Sequence, residues 1–186
     1  QLQQGLPKAQ VRVVGDFARR MEILTEGEFL IASEDLVATK SSLSQVEGIV
    51  WDKPNSGPMT WRGKLTDPEL QLVCHFCKEA ELVSKELLFV ASKAHLSSWI
   101  TEEETVGEKI RKSTLASEAD FFDQNNLQFI PREMREGMGE VELAKAGTLP
   151  RLLENSDLKG ILHNHSTYSD GKHTLRQMAE HCKGLG

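Results

Sequence analysis

The sequence is poor in cysteine, has no long apolar run and carries no excess of basic residues. Its 186 residues include 3 cysteines, an odd and sparse set that is typical of free thiols in a reducing compartment. No stretch approaches the roughly 18 consecutive apolar residues of a membrane-spanning helix, and the first residues lack the basic region and apolar core of a signal peptide. We therefore expect a cytoplasmic protein with no membrane segment.

The charge balance limits the choice of partners. The formal net charge is −6, whereas sequence-independent binding to nucleic acid depends on lysine and arginine side chains that neutralise phosphates. The chain should bind DNA weakly by itself unless its basic residues are gathered on one face. Hydrophobic residues make up 39% and charged residues 27%, as in ordinary globular proteins of one or two packing units. No feature of the sequence fixes an oligomeric state.

Apolar and alternating runs predict strands in the first half of the chain and helices in the second. The predicted strands cover residues 10–14, 27–33, 59–65 and 70–76. A helix that begins after Ser33 or Asp35 lies between the second and third strands. Later helices are predicted at 78–88, at 92–100 with Ser92 as the cap, at 117–122 and at 148–154, while 123–147 should be irregular. The fold class is thus α+β.

Two of the cysteines form a C-x-x-C pair, Cys74 and Cys77, inside the predicted strand "LQLVCHFC". Residues three apart on a strand face opposite sides of the sheet, so their sulfur atoms would not converge on one zinc ion. No second cysteine pair completes a four-ligand site. We therefore interpret both as thiols of the protein core.

The stretch "ILHNHSTYSDG" at 161–171 has the composition of a metal site. If 159–166 is a strand, Ile161, His163 and His165 lie on one face, and Asp170 follows in a turn. Two imidazoles and a carboxylate suit a borderline divalent metal, although fortuitous surface histidines remain the alternative, as they do for His173 and His181. After the turn, Thr174 should cap a helix and form a capping box with Gln177. The predicted buried stripe of that helix, which should end at Gly184, contains Leu175, Met178, Ala179 and Cys182.

Four regions of the sequence resemble known motifs. The stretch "LHNHSTYSDG", followed by "TLRQMAEHCKGLG", is similar to the first strand and helix of PHP domains, which are metal-dependent phosphoesterases. The segment "FIPREMREGMGEVE" resembles the connector to the PHP domain in bacterial family X DNA polymerases, the relatives of DNA polymerase β. More weakly, "VVGDFARR" resembles the triphosphate loop of that family, and "FVASKAH" resembles its palm–thumb junction.

This resemblance implies a fragment of a larger DNA-repair protein. Its parts would be a palm-like domain with a mixed or antiparallel sheet at 1–90, a thumb-like region at 91–128, a connector at 129–158 and the first βα unit of a truncated PHP barrel at 159–186. His163, His165 and Asp170 correspond to the first PHP metal ligands, for Zn²⁺ or Mn²⁺, and a polymerase site would use Mg²⁺. In the intact protein the partner would be DNA, with Arg19, Arg20 and Lys93 as candidate phosphate or DNA contacts.

The palm-like part departs from the family pattern at its catalytic positions. Nucleotidyl transfer needs two cations that are held by three carboxylates. The resemblance places Glu28 and Leu30 at the first two positions and Val73 at the third, so only Glu28 retains an acid. Asp16 also stands where a serine would bind phosphate. We therefore expect the palm to have lost catalysis, leaving hydrolysis of phosphoesters to the PHP domain of the intact protein.

Two alternatives remain open at this level. The first is an active nucleotidyltransferase that uses Glu26, Glu28 and either Asp67 or Glu69 as metal ligands. The second is a non-catalytic module that binds DNA or a partner protein through a basic stripe. For Arg19 and Arg20, a solvated pair of surface arginines is the simpler interpretation.

Overall fold

The computed structural model describes residues 2–160 and 162–185. The chain forms two compact units, Gln1–Leu149 and Pro150–Gly186, and each is described by itself. None of the helices formed by these residues combines the length and the apolar character that a membrane crossing requires.

A five-stranded sheet forms the centre of the first unit, in the order β1-β2-β5-β4-β3. β2 and β5 run parallel, while the three remaining pairs are antiparallel. The strands are β1 Gln10–Val14, β2 Glu26–Ala32, β3 Ile49–Trp51, β4 Thr60–Thr66 and β5 Glu69–Cys77. The sheet is mixed, which confirms the α+β prediction and the four predicted strands. The three-residue edge strand β3 was not predicted from the sequence.

The central strands β2 and β5 are buried on both faces, and their alternate residues supply two separate cores. On one face Ile31, Cys74 and Phe76 pack with Trp61. On the other face Leu30, Cys77 and neighbouring residues pack with α4. Cys74 and Cys77 therefore lie on opposite faces of β5 as free, buried thiols, as the period of two predicts. Burial raises the pKa of the Cys74 thiol to about 12 and that of Cys77 to about 11.

Helices cover the sheet and form the rest of the first unit. Ser92 caps α5 through its side chain, as the sequence predicts. Asp35, one of the two candidates that the sequence offers with Ser33, caps α3. The helices are α1 Leu2–Gly5, α2 Gly15–Ala18, α3 Leu36–Leu43, α4 Leu82–Val90, α5 Lys93–Ser97, α6 Val106–Lys112, α7 Glu118–Gln124 and α8 Glu140–Ala146. The prediction of an irregular segment at 123–147 was wrong, because it contains α8 and a 3₁₀ turn at Arg132–Met134.

The helices after β5 share a third core, which contains Ile110, Phe121, Phe122, Ile130 and Val141. The Arg135 side chain is only 1% exposed at its edge. Its guanidinium donates to the carbonyl of Ile130 at 2.7 Å and 3.0 Å and to Glu118 at 2.6 Å, so this buried charge is fully engaged.

The second unit contains one longer helix, α9 Leu175–Leu185, and a 3₁₀ turn at Asn155–Asp157. Thr174 and Gln177 form the predicted capping box. Four other predictions were wrong. Residues 148–154 form no helix. The described residues of 159–166 form no strand, since no other described residue of this unit forms a strand with which they could pair; Ile161 lies outside the described residues. α9 continues through Gly184, and the predicted stripe of Leu175, Met178, Ala179 and Cys182 is not buried.

Candidate functional site

A cleft of ≈ 500 Å³ opens in the first unit where the sheet meets α2, α4, α5 and α6. Three of the residues predicted from the sequence line this cleft. Ionisable side chains dominate its lining, and they are Asp16, Arg19, Glu28, His75, Lys85, Lys93 and Arg111. Glu28, Arg19 and Lys93 were predicted from the sequence, whereas His75, Lys85 and Arg111 were not.

The floor of the cleft holds one carboxylate from the sheet. Glu28 on β2 is the register partner of Val73 on the parallel strand β5, so both side chains point to the same face. Leu30, two residues further on β2, lies on that face too and is completely buried in the core. Leu30 and Val73 therefore occupy the two positions beside Glu28 at which the family pattern has carboxylates.

Glu28 binds an imidazole. Its Oε2 lies 3.2 Å from Nε2 of His75, and the His75 ring stacks on Phe89 of α4 with ring centroids 4.1 Å apart and an interplanar angle of 17°. Gly15 has φ +65°, and a Cβ there would lie 2.1 Å from Oε1 of Glu28. Only glycine lets the chain at the start of α2 approach the carboxylate so closely.

The two arginines of the "VVGDFARR" stretch are paired with carboxylates. Arg19 is 8% exposed and binds Asp16, with its Nε 2.5 Å from Oε1 of Glu136. Its Nη1 donates to the carbonyl of Val90 at 3.4 Å. Arg20 is exposed and lies 3.2 Å from Glu133. The solvated pair expected from the sequence is therefore correct for Arg20 and wrong for Arg19.

The helices that line the cleft also carry cations without acidic partners. Lys85 on α4 is half-buried, while Lys93 at the start of α5 and Arg111 on α6 are exposed. Within residues 2–160 and 162–185, none of these three side chains forms a hydrogen bond or an ion pair. Since Arg19 is neutralised by Asp16 and Glu136, these three are the available positive charges of the cleft lining.

A buried His–Glu pair fixes the helix that carries Lys93. His95 Nδ1 lies 2.5 Å from Oε1 of Glu140, and the backbone N–H groups of Gly137 and Met138 donate to the same carboxylate. Burial lowers the pKa of His95, although Glu140 opposes that shift. Burial tends to raise the pKa of Glu140, but the hydrogen bonds from His95 and the backbone outweigh it and lower the pKa. A neutral imidazole that donates to a carboxylate fits both directions.

The remaining predicted ligands lie in the second unit. His165 Nδ1 is hydrogen-bonded to Oδ1 of Asp170, and the rings of His163 and His165 have centroids 4.9 Å apart. His163 has φ +59°, so its backbone is left-handed and not extended. The three residues are neighbours, but they do not share the strand face that the sequence predicts.

The metals that the resemblance implies require different ligand atoms from the protein. A Mg²⁺ pair requires several hard oxygen ligands, and the cleft floor offers Glu28 alone beside Leu30 and Val73, so these residues do not fit that ion pair. Two imidazoles and a carboxylate are suitable donors for Zn²⁺ or Mn²⁺. In the part of the chain that the structure describes, however, no three such side chains are close enough to hold one ion.

The acids of the alternative nucleotidyltransferase lie in separate places. Glu26 is 3.7 Å from Arg62 and lines a different cleft. Glu69 pairs with Lys64 at 2.5 Å, and Asp67 lies in a third cleft beside α1 and α3. None of the three lines the cleft that contains Glu28.

The sequence analysis missed His75, Lys85 and Arg111. The positions of His75 and Lys85 could have been inferred from the periodicity of their elements. Counting two residues from Val73 along β5 places His75 on the same face and beside Leu30. Lys85 precedes Phe89 by one helical turn, so both lie on one side of α4. The position of Arg111 in the cleft could not be inferred in this way, because it depends on how α6 packs.

No family model matches the chain. The chain is similar to a DNA-processing enzyme, with 44% identity over 69 residues, which is 37% of this chain. That relative is the DNA polymerase/3′-5′ exonuclease PolX of Bacillus subtilis (strain 168). The match spans 12% of the relative's length. It relates the chain to PolX over that stretch.

Proposed function

We propose that the chain is part of a PolX-related DNA-repair protein whose palm-like domain no longer transfers nucleotides. The observation that supports this proposal is the strand register, which places Val73 opposite Glu28, with the buried Leu30 two residues further along β2. A palm of this kind would keep its sheet and cleft as a scaffold, since two cations cannot be held near a primer end by one carboxylate. The identity with PolX over 69 residues supports the relationship.

The chemistry of the intact protein would then reside in a PHP-like phosphoesterase domain that begins at 159–186. His163, His165 and Asp170 would be its first metal ligands, with Zn²⁺ or Mn²⁺ suited to that donor set. When bound, such metals supply an activated water and stabilise the departing oxygen. The carboxylate of Asp170 accepts a hydrogen bond from His165, which would orient the imidazole and keep one tautomer.

The test uses the full-length protein. Nucleotide incorporation with Mg²⁺ and 3′-5′ exonuclease activity with Mn²⁺ or Zn²⁺ are measured together, with His163→Ala and His165→Ala as controls. We expect no incorporation, and exonuclease activity that both substitutions abolish. Incorporation that survives both substitutions, in a protein without nuclease activity, would refute the proposal.

An active nucleotidyltransferase that uses Glu26, Glu28 and Asp67 or Glu69 is the second candidate. Glu26 and Glu28 point to one face of β2, but Glu26, Asp67 and Glu69 lie outside the cleft that contains Glu28, so the acids would have to be brought together. This candidate predicts that the protein incorporates nucleotides. Glu28→Gln and Glu26→Gln should then each reduce the rate by about a hundredfold or more, as expected when an electrostatic contribution to the transition state is lost.

A further inference from the structure

Trp99 is an exposed tryptophan just after α5. It is 58% exposed, and among the described residues no group hydrogen-bonds to its indole N–H and no cation lies over its ring. The two other tryptophans make contacts inside the fold. Trp61 is buried. The indole N–H of Trp51 donates to Ser56 at 3.0 Å, and Lys53 lies 5.6 Å from the centre of that ring. The ring of Trp99 is therefore available to a ligand.

Trp99 lines a cleft of ≈ 540 Å³ that also contains Ile100, Thr101, Glu102 and Lys145. Glu102 is exposed, and in the part of the chain that the structure describes its carboxylate forms no ion pair or hydrogen bond. Lys145 is already bound, because its Nζ lies 2.6 Å from the Glu142 carboxylate and donates to the carbonyl of Trp99 at 3.1 Å. The cleft therefore offers an aromatic residue beside an unpaired carboxylate.

The loop that carries Glu102 is held in place by its own hydrogen bonds. The N–H groups of Ile100 and Thr101 donate to the carbonyl of Glu104 at 2.9 Å and 3.2 Å. The Thr101 hydroxyl oxygen accepts from the N–H groups of Glu103 at 3.3 Å and Glu104 at 3.0 Å. A loop that is already ordered loses little conformational entropy when a ligand binds. The cleft is therefore preformed.

We propose that this cleft, which we call the Trp99 cleft, binds an arginine side chain from a basic, extended segment of a partner protein. A guanidinium group stacks on an indole face and donates charge-assisted hydrogen bonds to a carboxylate, and Trp99 and Glu102 supply one of each. The inference does not depend on the proposed function, since the Trp99 cleft shares no lining residue with the cleft that contains Glu28.

Charge complementarity favours a basic partner over other occupants. Glu103, next to Glu102, is also exposed and has no ion pair within residues 2–160 and 162–185, and the formal net charge of the chain is −6. These charges attract a basic segment and oppose the approach of a second copy of the chain. An apolar segment would bury the Glu102 carboxylate without a partner, which is costly.

The probe is a capped peptide with the sequence Gly-Arg-Gly-Arg-Gly, titrated into the full chain at low salt. Two-dimensional NMR of the three indole N–H groups follows each tryptophan separately, and Trp99→Leu identifies its own signal by removing it. We expect the Trp99 signal to shift and the Trp51 signal to stay. A peptide with glutamine in place of arginine should cause no shift, and added salt should weaken binding of the arginine peptide.

The affinities of the variants are measured by calorimetry. Trp99→Leu should weaken binding by about three- to tenfold, as expected for loss of a cation–π contact. Glu102→Gln should weaken it by about two- to fivefold, the size of an exposed ionic contact. The matched controls are Trp51→Leu for the aromatic ring and Glu22→Gln for the charge, because Glu22 is exposed and lies outside the Trp99 cleft. Both controls should bind as the parent chain does.

Five results would overturn the proposal. They are no shift of the Trp99 signal with the arginine peptide, an equal shift with the glutamine peptide, equal losses of affinity in Glu22→Gln and Glu102→Gln, unchanged affinity in Trp99→Leu, and a Trp99 signal that moves with the concentration of the chain alone. The last result would assign the cleft to a second copy of the chain. Melting temperatures serve as a folding check, and all four variants should stay close to the parent chain.

Discussion

Glu28 lies directly opposite Val73 across the parallel pair of β2 and β5. The two strands therefore bring together one carboxylate and one apolar side chain at the floor of the cleft. A hard cation at this point would have a single carboxylate from the sheet, since Asp16 of the same cleft is bound to Arg19, and one such ligand leaves most of its coordination to water. The consequence can be tested without any activity assay.

Millimolar Mg²⁺ should leave the melting temperature of the chain unchanged. A ligand stabilises the folded state only when its concentration exceeds its dissociation constant for that state, and Glu28 alone should bind too weakly for that. The measurement is thermal unfolding with and without Mg²⁺, for the parent chain and for Glu28→Gln. A rise in melting temperature that Glu28→Gln removes would contradict this reading of the cleft floor.

The buried pair of His95 and Glu140 should make stability depend on pH. The pKa of His95 is lowered from 6.5 on folding, so the unfolded chain takes up a proton more readily as pH falls below 6.5. The pKa of Glu140 is lowered from 4.5, and its contribution is lost below that value. The free energy of unfolding should therefore be highest above pH 6.5 and should fall with acidification.

Chemical denaturation at a series of pH values checks this. The fall that starts near pH 6.5 should be weaker in His95→Gln, which removes the titrating group. His173→Gln is the control, because His173 is exposed on the second unit. An unchanged pH profile in His95→Gln would show that another group is responsible.

Residues with a strong local pattern were predicted correctly from the sequence. β5 alternates clearly enough to assign Cys74 and Cys77 to opposite faces, and the caps at Asp35, Ser92 and Thr174 follow from side-chain chemistry alone. Elements that depend on distant partners were missed or wrong. β3 has three residues and exists because it pairs with β4, whereas the described residues of the predicted strand at 159–166 have no such partner.

The candidate site divides in the same way. Glu28 and Val73 followed from counting along strands, and the structure places them in register. The ion pair between Arg19 and Glu136 could not be predicted, because the two residues are 117 positions apart along the chain. α8 was also missed, since Gly137 and Gly139 before it resemble loop residues, and its first residue is held by the tertiary contact with His95.

Replacement of Arg135 should strongly destabilise the helical core of the first unit. Arg135→Ala leaves the Ile130 carbonyl and part of the Glu118 carboxylate without their donor, and removal of one partner of a buried ion pair costs about 3–5 kcal/mol. Arg135→Lys should rescue little, because one ammonium cannot reproduce the planar contacts with Ile130, Glu118 and the Phe122 ring.

Urea denaturation gives the free energy of unfolding for these variants. Lys112→Ala is the control, since Lys112 also pairs with a glutamate, Glu104, at 2.5 Å but is exposed, and it should change stability little. Equal losses in Arg135→Ala and Lys112→Ala would show that burial does not decide the strength of these pairs.

Two glycines that share a left-handed backbone should respond differently to alanine. Gly137 has φ +77° and Gly139 has φ +95°, so both variants carry a strain of about 1–2 kcal/mol. A Cβ at Gly137 would also lie 2.6 Å from the carbonyl carbon of Ala94, which would push the 135–140 segment away from α5. A Cβ at Gly139 meets no atom within 4 Å. Gly137→Ala should therefore lower stability clearly more than Gly139→Ala, and equal effects would argue against this packing.

Only one of the three thiols should react rapidly in the folded chain. Cys74 and Cys77 are buried, and burial raises their pKa to about 12 and about 11, so neither forms much thiolate at neutral pH. Cys182 is exposed on α9. A thiol reagent should label one cysteine quickly and the other two at the rate of unfolding, and Cys182→Ser should remove the fast phase. A fast phase that persists in Cys182→Ser would show that β5 exposes a thiol, which is incompatible with its place between the two cores of the sheet.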